Sequence, residues 1–319
     1  MMPQNKSLLI SAIAALGFVA SVSFSPLANA ASEQVPASLP LSQFGENPGE
    51  LTASVFRPTK TPKALVVLLH GCVQNAEKLA VDSGFRGLAK SHNFALLLPQ
   101  QSKSNNIKQC FNWFSTPDTA RDQGETLSLK NMITTVKGSL KVDQVYIAGL
   151  SAGGAMASGL LVTYPQMFDG GAVIAGLPYP CADNLIKAIS CMRAGPSQSA
   201  AELVALAQKT SPKTTTWPPL FIATGDSDKV VNAVNSQKLA EQWAALSGSK
   251  QVATEDKLGA SFSQWKSGDK PTIELVTIKG MDHGWSVNPA VKNGGSTAPF
   301  LPKAQLSTAQ QIVDFWQLN

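Results

Sequence analysis

Short apolar runs alternate with amphipathic stretches along most of the chain, and this pattern predicts a parallel β-sheet flanked by helices. Several runs are continuous in Val, Ile and Leu, which is typical of strands buried on both faces. We therefore predict an α/β fold with a mostly parallel central sheet and helices on both faces. The predicted strands are residues 51–56, 64–69, 94–98, 144–148, 171–175, 220–224 and 273–278. The predicted helices are residues 85–90, 125–140, 152–164, 201–209, 231–246 and 308–318.

The first 30 residues have a different pattern. Lys6 precedes an apolar run from residue 8 to about residue 22, and Ala28-Asn29-Ala30 supplies an Ala-x-Ala cleavage point. A membrane anchor needs about 20 unbroken apolar residues, and this run is shorter and interrupted. We predict a signal peptide at 1–30 and a single domain at 31–319, with no separate substrate-binding domain. The mature protein is then expected in the periplasm or the medium, with no membrane association after cleavage.

Charge and cysteine content narrow the range of partners. The chain has 26 Lys and Arg against 21 Asp and Glu, and the basic residues are scattered, so we expect no nucleic-acid partner. In an oxidising compartment, the even number of cysteines favours disulfides over metal binding. Four cysteines allow three pairings, and we favour Cys72 with Cys110 and Cys181 with Cys191.

A G-x-S-x-G motif is present at Gly149-Leu150-Ser151-Ala152-Gly153. A predicted strand precedes it and a predicted helix follows it, which is the context that a nucleophilic serine on a sharp turn requires. Glycine is needed on either side because the turn is crowded, and the helix N-terminus favours developing negative charge. The motif predicts Ser151 as a nucleophile; the alternative is an ordinary turn serine.

The chain offers three histidines as the base: His70, His92 and His283. His283 lies in a turn after the last predicted strand and follows the serine in the chain, as the serine-first order of such sites requires. His70 ends a strand beside a loop suited to an oxyanion hole, and His92 follows a helix that it caps or from which it faces solvent. We predict that His283 accepts the Ser151 proton and returns it to the leaving alcohol.

A carboxylate is needed between these two residues in sequence, at the end of a strand, to orient the imidazole. Asp226 and Asp228 both follow the strand at 220–224. We prefer Asp228, because a bond from Asp226 to its own turn backbone explains that residue fully. Asp282 adjoins the histidine and is expected to form a turn.

Two backbone N–H groups are expected to stabilise the oxyanion. One belongs to Ala152, after the serine, and the other to Cys72, in the loop after an early strand. Cys72 could instead be a nucleophile, but an exported chain with an even cysteine count argues against this. The predicted site needs neither a metal nor an organic cofactor.

With these residues assembled, the chain resembles the secreted poly(3-hydroxybutyrate) depolymerase family of the α/β-hydrolase superfamily, which includes feruloyl and acetylxylan esterases. The resemblance is close over residues 64–180 and then continues around Asp228 and His283. The resemblance implies the same triad and oxyanion amides. It also places Trp113 near the substrate; the alternative is that Trp113 only packs in the core. The strings that carry it are His70-Gly71-Cys72-Val73-Gln74-Asn75, Pro99-Gln100-Gln101-Ser102, Cys110-Phe111-Asn112-Trp113-Phe114, Gly149-Leu150-Ser151-Ala152-Gly153-Gly154, Gly176-Leu177-Pro178-Tyr179 and His283-Gly284-Trp285.

These observations lead to the hypothesis of a secreted serine esterase that cleaves a short-chain polyhydroxyalkanoate or its oligomers through an acyl-enzyme. One alternative is a feruloyl or acetylxylan esterase with the same triad. A peptidase is less favoured, and a non-catalytic exported binding protein on the same scaffold is a further alternative. Two segments fall outside the strand–helix alternation: residues 177–219, interpreted as a possible pocket rim, and residues 286–307, interpreted as a surface loop.

Overall fold

The computed structural model describes residues 1–2, 37–211 and 216–319, and Pro36–Asn319 forms one compact unit. All but the first two residues of the predicted signal peptide lie outside the described residues, and the predicted domain limits stay a prediction. The strands are β1 Leu39–Pro40, β2 Thr52–Phe56, β3 Ala64–Leu69, β4 Ala95–Gln100, β5 Gln144–Leu150, β6 Gly170–Ile174, β7 Leu220–Gly225, β8 Lys250–Lys257, β9 Ala260–Ser267 and β10 Lys270–Ile278. The helices are α1 Ala76–Asp82, α2 Phe85–His92, α3 Thr116–Thr119, α4 Gly124–Leu140, α5 Ala152–Thr163, α6 Leu185–Ala194, α7 Ala200–Thr210, α8 Val234–Ser247 and α9 Thr308–Phe315, and Pro165–Met167 forms a 3₁₀ turn.

One sheet contains these strands in the order β1-β2-β4-β3-β5-β6-β7-β10-β9-β8. The six strands from β4 to β10 in this order are parallel, and the strands at both ends are antiparallel. Strand β5 lies between β3 and β6, so the residue that follows β5 emerges in the middle of the sheet. The predicted α/β fold is confirmed, and every predicted strand and helix is present.

Side-chain alternation divides the core between the two faces of the sheet. In β3, Leu65, Val67 and Leu69 face one cluster with α4, α5 and α8, while the intervening residues face another with α1, α2 and α9. All the side chains of β3 are fully buried. Each buried Val or Leu contributes roughly 2 kcal/mol relative to an exposed position, so the centre of the sheet is a rigid base for the loops at its edge.

Several elements lack the patterns used for prediction. Strand β8 is exposed at every position, so its sequence has no alternation of apolar and polar residues. It pairs with β9 across a tight turn at Gly259, whose φ of +70° suits glycine. Helices α1 and α3, of seven and four residues, were also not predicted, nor was α6, which lies in the segment interpreted as a possible pocket rim.

The segment at 286–307 is a loop whose residues are mostly exposed or partly exposed, as its Gly, Pro and Asn content predicts, but it is anchored in the core at several positions. Val287, Leu301 and Leu306 are buried and pack in the same cluster as α2 and α9. The N–H of Val287 donates to the carbonyl of Pro302 at 3.0 Å, which folds the segment back on itself. The prediction of a surface loop therefore holds for most of the segment, and the buried apolar residues that anchor it were not predicted.

The favoured disulfides, Cys72–Cys110 and Cys181–Cys191, are both present. In the part of the chain that the structure describes, no helix has the length and hydropathy needed to cross a bilayer. Within the same residues, no three or more His, Cys, Asp or Glu side chains are grouped as metal ligands.

Candidate active site

Ser151 lies on a sharp turn between β5 and α5. Its backbone has φ 56° and ψ −118°, an unusual conformation for a residue with a side chain. A Cβ atom on Gly149 would lie 2.2 Å from the Gly153 carbonyl oxygen, and one on Gly153 would lie 2.4 Å from the Leu69 carbonyl oxygen. Both positions therefore require glycine, as the motif predicted, and the turn holds Ser151 at the carboxyl edge of the sheet.

The structure brings Ser151, His283 and Asp228 together. His283 Nε2 is 2.9 Å from Ser151 Oγ, and His283 Nδ1 is 2.7 Å from Asp228 Oδ2. The side chain of Asp228 is 0% exposed and that of His283 is 7% exposed. The other Asp228 oxygen accepts hydrogen bonds from the Val230 and Val231 N–H groups, each at 2.8 Å. The carboxylate is thus fixed by backbone donors on one oxygen and by the imidazole on the other.

Two other aspartates fasten the turns that carry this chain of hydrogen bonds. Asp226 accepts from the Ser227 hydroxyl at 2.9 Å and from the Gly280 N–H at 2.8 Å, so its backbone partner lies in the turn after β10 and not in its own turn, as was predicted. Asp282 accepts from the N–H groups of Lys229 at 3.0 Å and His283 at 2.7 Å. These two hydrogen bonds hold the pKa of Asp282 below its usual range. Asp226 and Asp282 therefore set the position of His283 without reaching its ring.

Two backbone N–H groups beside Ser151 have no acceptor among the described residues: those of Cys72 and Ala152. Cys72, Ser151 and Ala152 line one cavity. Unpaired N–H groups beside a serine hydroxyl can donate hydrogen bonds to the negative oxygen of a tetrahedral intermediate. Both N–H groups predicted to stabilise an oxyanion are thus unpaired among the described residues, and their role stays a prediction.

The loop that carries the Cys72 N–H is fastened on two sides. Gln74 Oε1 accepts from the Gly71 N–H at 2.8 Å, and the disulfide joins Cys72 to Cys110. Val73 adopts φ 56° and donates its N–H to the Lys108 carbonyl at 2.7 Å. These restraints keep the Cys72 N–H in place before any substrate binds.

His70 is a structural residue of this loop and does not contact Ser151. It is fully buried, and burial lowers its pKa to about 4. Its Nδ1–H donates to the Gly71 carbonyl at 2.7 Å, and Nε2 accepts from the Gln101 N–H at 3.1 Å. The neutral ring therefore joins β3, β4 and the Cys72 loop. His92 ends α2, where it is partly exposed.

A buried carboxyl that sequence reasoning missed supports the same region. Glu125, in the first turn of α4, accepts from Gln101 Nε2 at 2.6 Å and from the Asn112 N–H at 2.9 Å. Burial raises its pKa to about 8. An acidic residue in the first helical turn is common on protein surfaces, so its spacing gave no signal of this role.

Two cavities meet at Ser151. One, of about 290 Å³, includes His283, Val230 and Phe300 in its walls. The other, of about 150 Å³, includes Trp113. Trp113 is 8% exposed and packs edge-on to Phe114 at 5.6 Å between ring centroids. Trp113 therefore packs in the core and also lines a cavity beside Ser151, and its contact with a substrate stays a prediction.

The described fold and its solved structural neighbours define an α/β-hydrolase fold. Acetyl xylan esterase from Aspergillus awamori superposes with a TM-score of 0.75 at 17% sequence identity, covering 89% of this chain and 100% of that chain. An acylaminoacyl peptidase from Pyrococcus horikoshii superposes with a TM-score of 0.53 at 13% identity, covering 89% of this chain and 41% of that chain. At these identities the likeness shows the fold alone.

Sequence similarity identifies the family. Residues 58–263 match the model of the family described as "Esterase PHB depolymerase". Poly(3-hydroxyalkanoate) depolymerase C of Paucimonas lemoignei is 37% identical over 270 residues, which cover 81% of this chain and 64% of that protein. Feruloyl esterase B of Talaromyces funiculosus is 24% identical over 256 residues, which cover 76% of this chain and 72% of that protein. The chain belongs to the PHB depolymerase esterase family, a family of carboxylic ester hydrolases, and spans slightly less than two thirds of the depolymerase.

Proposed function

We propose that this chain is a serine esterase in which Ser151 is the nucleophile, His283 the general base and Asp228 the residue that orients the imidazole. The observation that carries the proposal is the continuous hydrogen-bond chain from Ser151 Oγ through His283 to a fully buried carboxylate. Unpaired N–H groups of Cys72 and Ala152 supply the donors for the oxyanion.

The reaction follows from this geometry. As Ser151 Oγ attacks the ester carbonyl carbon, its proton passes to His283 Nε2, 2.9 Å away, and the carbonyl oxygen gains negative charge between the two N–H groups. His283 then donates that proton to the leaving alcohol as the ester C–O bond breaks. Water attacks the acyl-enzyme by the same route and releases the acid. Removal of one oxyanion donor costs roughly a hundredfold to a thousandfold in kcat in comparable sites.

The substrate that we propose is a poly(3-hydroxybutyrate)-type short-chain polyhydroxyalkanoate or its oligomers. It is supported by the relative of greatest identity quoted above, which is a poly(3-hydroxyalkanoate) depolymerase. The second candidate is a feruloyl or acetylxylan ester, because relatives at 24% and 26% identity carry those names. We also propose that the protein is exported, on the basis of its N-terminal pattern and its two disulfides.

The experiment is release of soluble hydroxyacid from amorphous poly(3-hydroxybutyrate) by the purified mature protein. Methyl ferulate and acetylated xylan are run in parallel, with Ser151→Ala as the blank. Release of 3-hydroxybutyrate that depends on Ser151 supports the depolymerase. Release of ferulate or acetate alone supports a serine esterase whose substrates are plant polysaccharide esters. No Ser151-dependent hydrolysis of any ester contradicts the proposal.

A further inference from the structure

Helix α6 carries an apolar stripe that does not pack wholly into the core. Its members are Leu185, Ala188, Ile189 and Met192, at the i, i+3, i+4 and i+7 spacing of one helix face. A surface helix usually buries such a stripe, yet Leu185 is 58% exposed and Ile189 is 43% exposed. The reason is that all four residues face the cavity of about 150 Å³ beside Ser151.

The other side chains that line this cavity are also largely apolar. They include those of Trp113, Phe114, Leu177 and Val231. Cys72, Ser151 and Ala152 line it as well, so a group that enters the cavity lies next to the proposed nucleophile and both proposed oxyanion donors. The cavity is therefore suited to an aliphatic part of the ester that is bonded directly to the carbonyl carbon.

The position of His283 separates the acyl side from the alcohol side. The base must protonate the leaving oxygen, so the alcohol has to lie next to the imidazole. His283 lines the other cavity, of about 290 Å³, together with Val230 and Phe300, and is absent from the α6 cavity among the described residues. The alcohol thus occupies the His283 side, and the acyl group is left with the α6 side. Met192 lines both cavities and lies at their boundary.

We infer that the α6 cavity is the acyl pocket, that it takes a short aliphatic acyl group, and that Ile189 and Met192 limit the length of that group. This inference rests on the proposed catalytic role of Ser151. An apolar cavity of ~150 Å³ holds a benzene molecule, so the pocket accommodates about six non-hydrogen atoms. A 3-hydroxybutyryl group has that size, whereas a feruloyl group is considerably larger.

The C-terminal end of α6, which forms part of the pocket wall, is held in place by a disulfide and by hydrogen bonds. A wall that limits the length of the acyl group has to be held in this way. Cys191 is joined to Cys181, and Asn235 Nδ2 donates to the Cys191 carbonyl at 2.9 Å. The Met192 carbonyl accepts from the Asn232 N–H at 2.8 Å. Because these bonds hold the end of α6 that carries Met192, a longer acyl chain cannot simply push the helix away.

The test compares hydrolysis of p-nitrophenyl esters from acetate to dodecanoate by four proteins. These are the wild type, Ile189→Ala, the matched control Ile186→Ala on the same helix, and Ser151→Ala. Ile186 is 82% exposed and lines neither cavity. Since the alcohol is the same in every ester, kcat/KM as a function of acyl length reports the acyl pocket alone. A fifth protein, the Ala188→Met variant, has a narrower pocket.

The wild type is expected to prefer butyrate or hexanoate, and Ile189→Ala to raise the octanoate-to-butyrate ratio of kcat/KM about tenfold. Ala188→Met is expected to shift the ratio toward acetate, and Ile186→Ala to leave it unchanged. If the octanoate-to-butyrate ratio is unchanged in both Ile189→Ala and Ala188→Met, or if Ile186→Ala shifts it as much as Ile189→Ala does, the assignment of the acyl pocket is overturned. Neither result contradicts the proposed serine esterase. Hydrolysis that survives in Ser151→Ala overturns both.

Discussion

Replacement of Asp228 by Asn tests the orientation of the catalytic imidazole. One Asp228 oxygen accepts two backbone N–H groups at 2.8 Å, so the carbonyl of an introduced amide is expected to take that position. The amide NH₂ group then faces His283 Nδ1, where the carboxylate oxygen now lies at 2.7 Å. Nδ1 must become an acceptor, and the ring proton moves to Nε2. An Nε2–H group cannot accept the proton of Ser151.

The loss should be large because the Asp228 side chain is 0% exposed and no solvent can replace it. A wrong tautomer in a comparable triad lowers kcat about 10⁴-fold, which corresponds to about 5 kcal/mol in the activation barrier. The substitution is nearly isosteric, so the unfolding midpoint should change little. Steady-state hydrolysis of p-nitrophenyl butyrate measures kcat, and circular dichroism verifies the fold.

Asp226→Asn is the matched control, since Asp226 is exposed and accepts from Gly280 without reaching the imidazole. We expect it to lower kcat less than about tenfold, the range of an indirect positioning effect. An Asp228→Asn enzyme that retains a tenth of wild-type kcat, or a greater loss at Asp226, would refute the reasoning.

Three further variants and one control test the residues that support the site. Gly153→Ala should destabilise the fold by about 3 kcal/mol or more, because its Cβ would lie 2.4 Å from a carbonyl oxygen of β3; an unchanged urea midpoint contradicts this. The double variant Cys72→Ser, Cys110→Ser opens a loop of 38 residues and should lower the free energy of unfolding by about 4 kcal/mol. It should also reduce kcat, as urea titration and esterase assays would show. The pKa of His70 is about 4 in the fold against its usual 6.5, so the unfolded chain binds more protons between these pH values and stability falls as the pH drops through them. The stability lost is up to about 3 kcal/mol, and His70→Gln should flatten this dependence, whereas His92→Gln should not.

The central strands were predictable because a strand that is buried on both faces of a sheet has a continuous apolar sequence. β3 and β5 are continuous apolar runs, and the G-x-S-x-G motif between β5 and α5 reports a steric requirement that the structure shows directly. Strand β8 has no such apolar run, since all its residues are exposed and it is held in the sheet by its pairing with β9.

Other features needed the fold itself. Glu125 and His70 are separated by more than fifty residues, and their connection through Gln101 appears only when β3, β4 and α4 are assembled. The α6 stripe was detectable from its spacing between Leu185 and Met192. Its role was not, because only the cavity shows that this face of the helix lines the site.

The central claim is that Ser151 is the nucleophile of an ester-cleaving site. The most direct measurement is the intact mass of the mature protein after reaction with an alkyl p-nitrophenyl phosphonate, followed by peptide mapping. The account predicts one phosphonyl adduct per chain, carried by Ser151, with loss of esterase activity in proportion to labelling and no adduct in Ser151→Ala. An adduct on a different residue, or equal labelling and inactivation of Ser151→Ala, would contradict it.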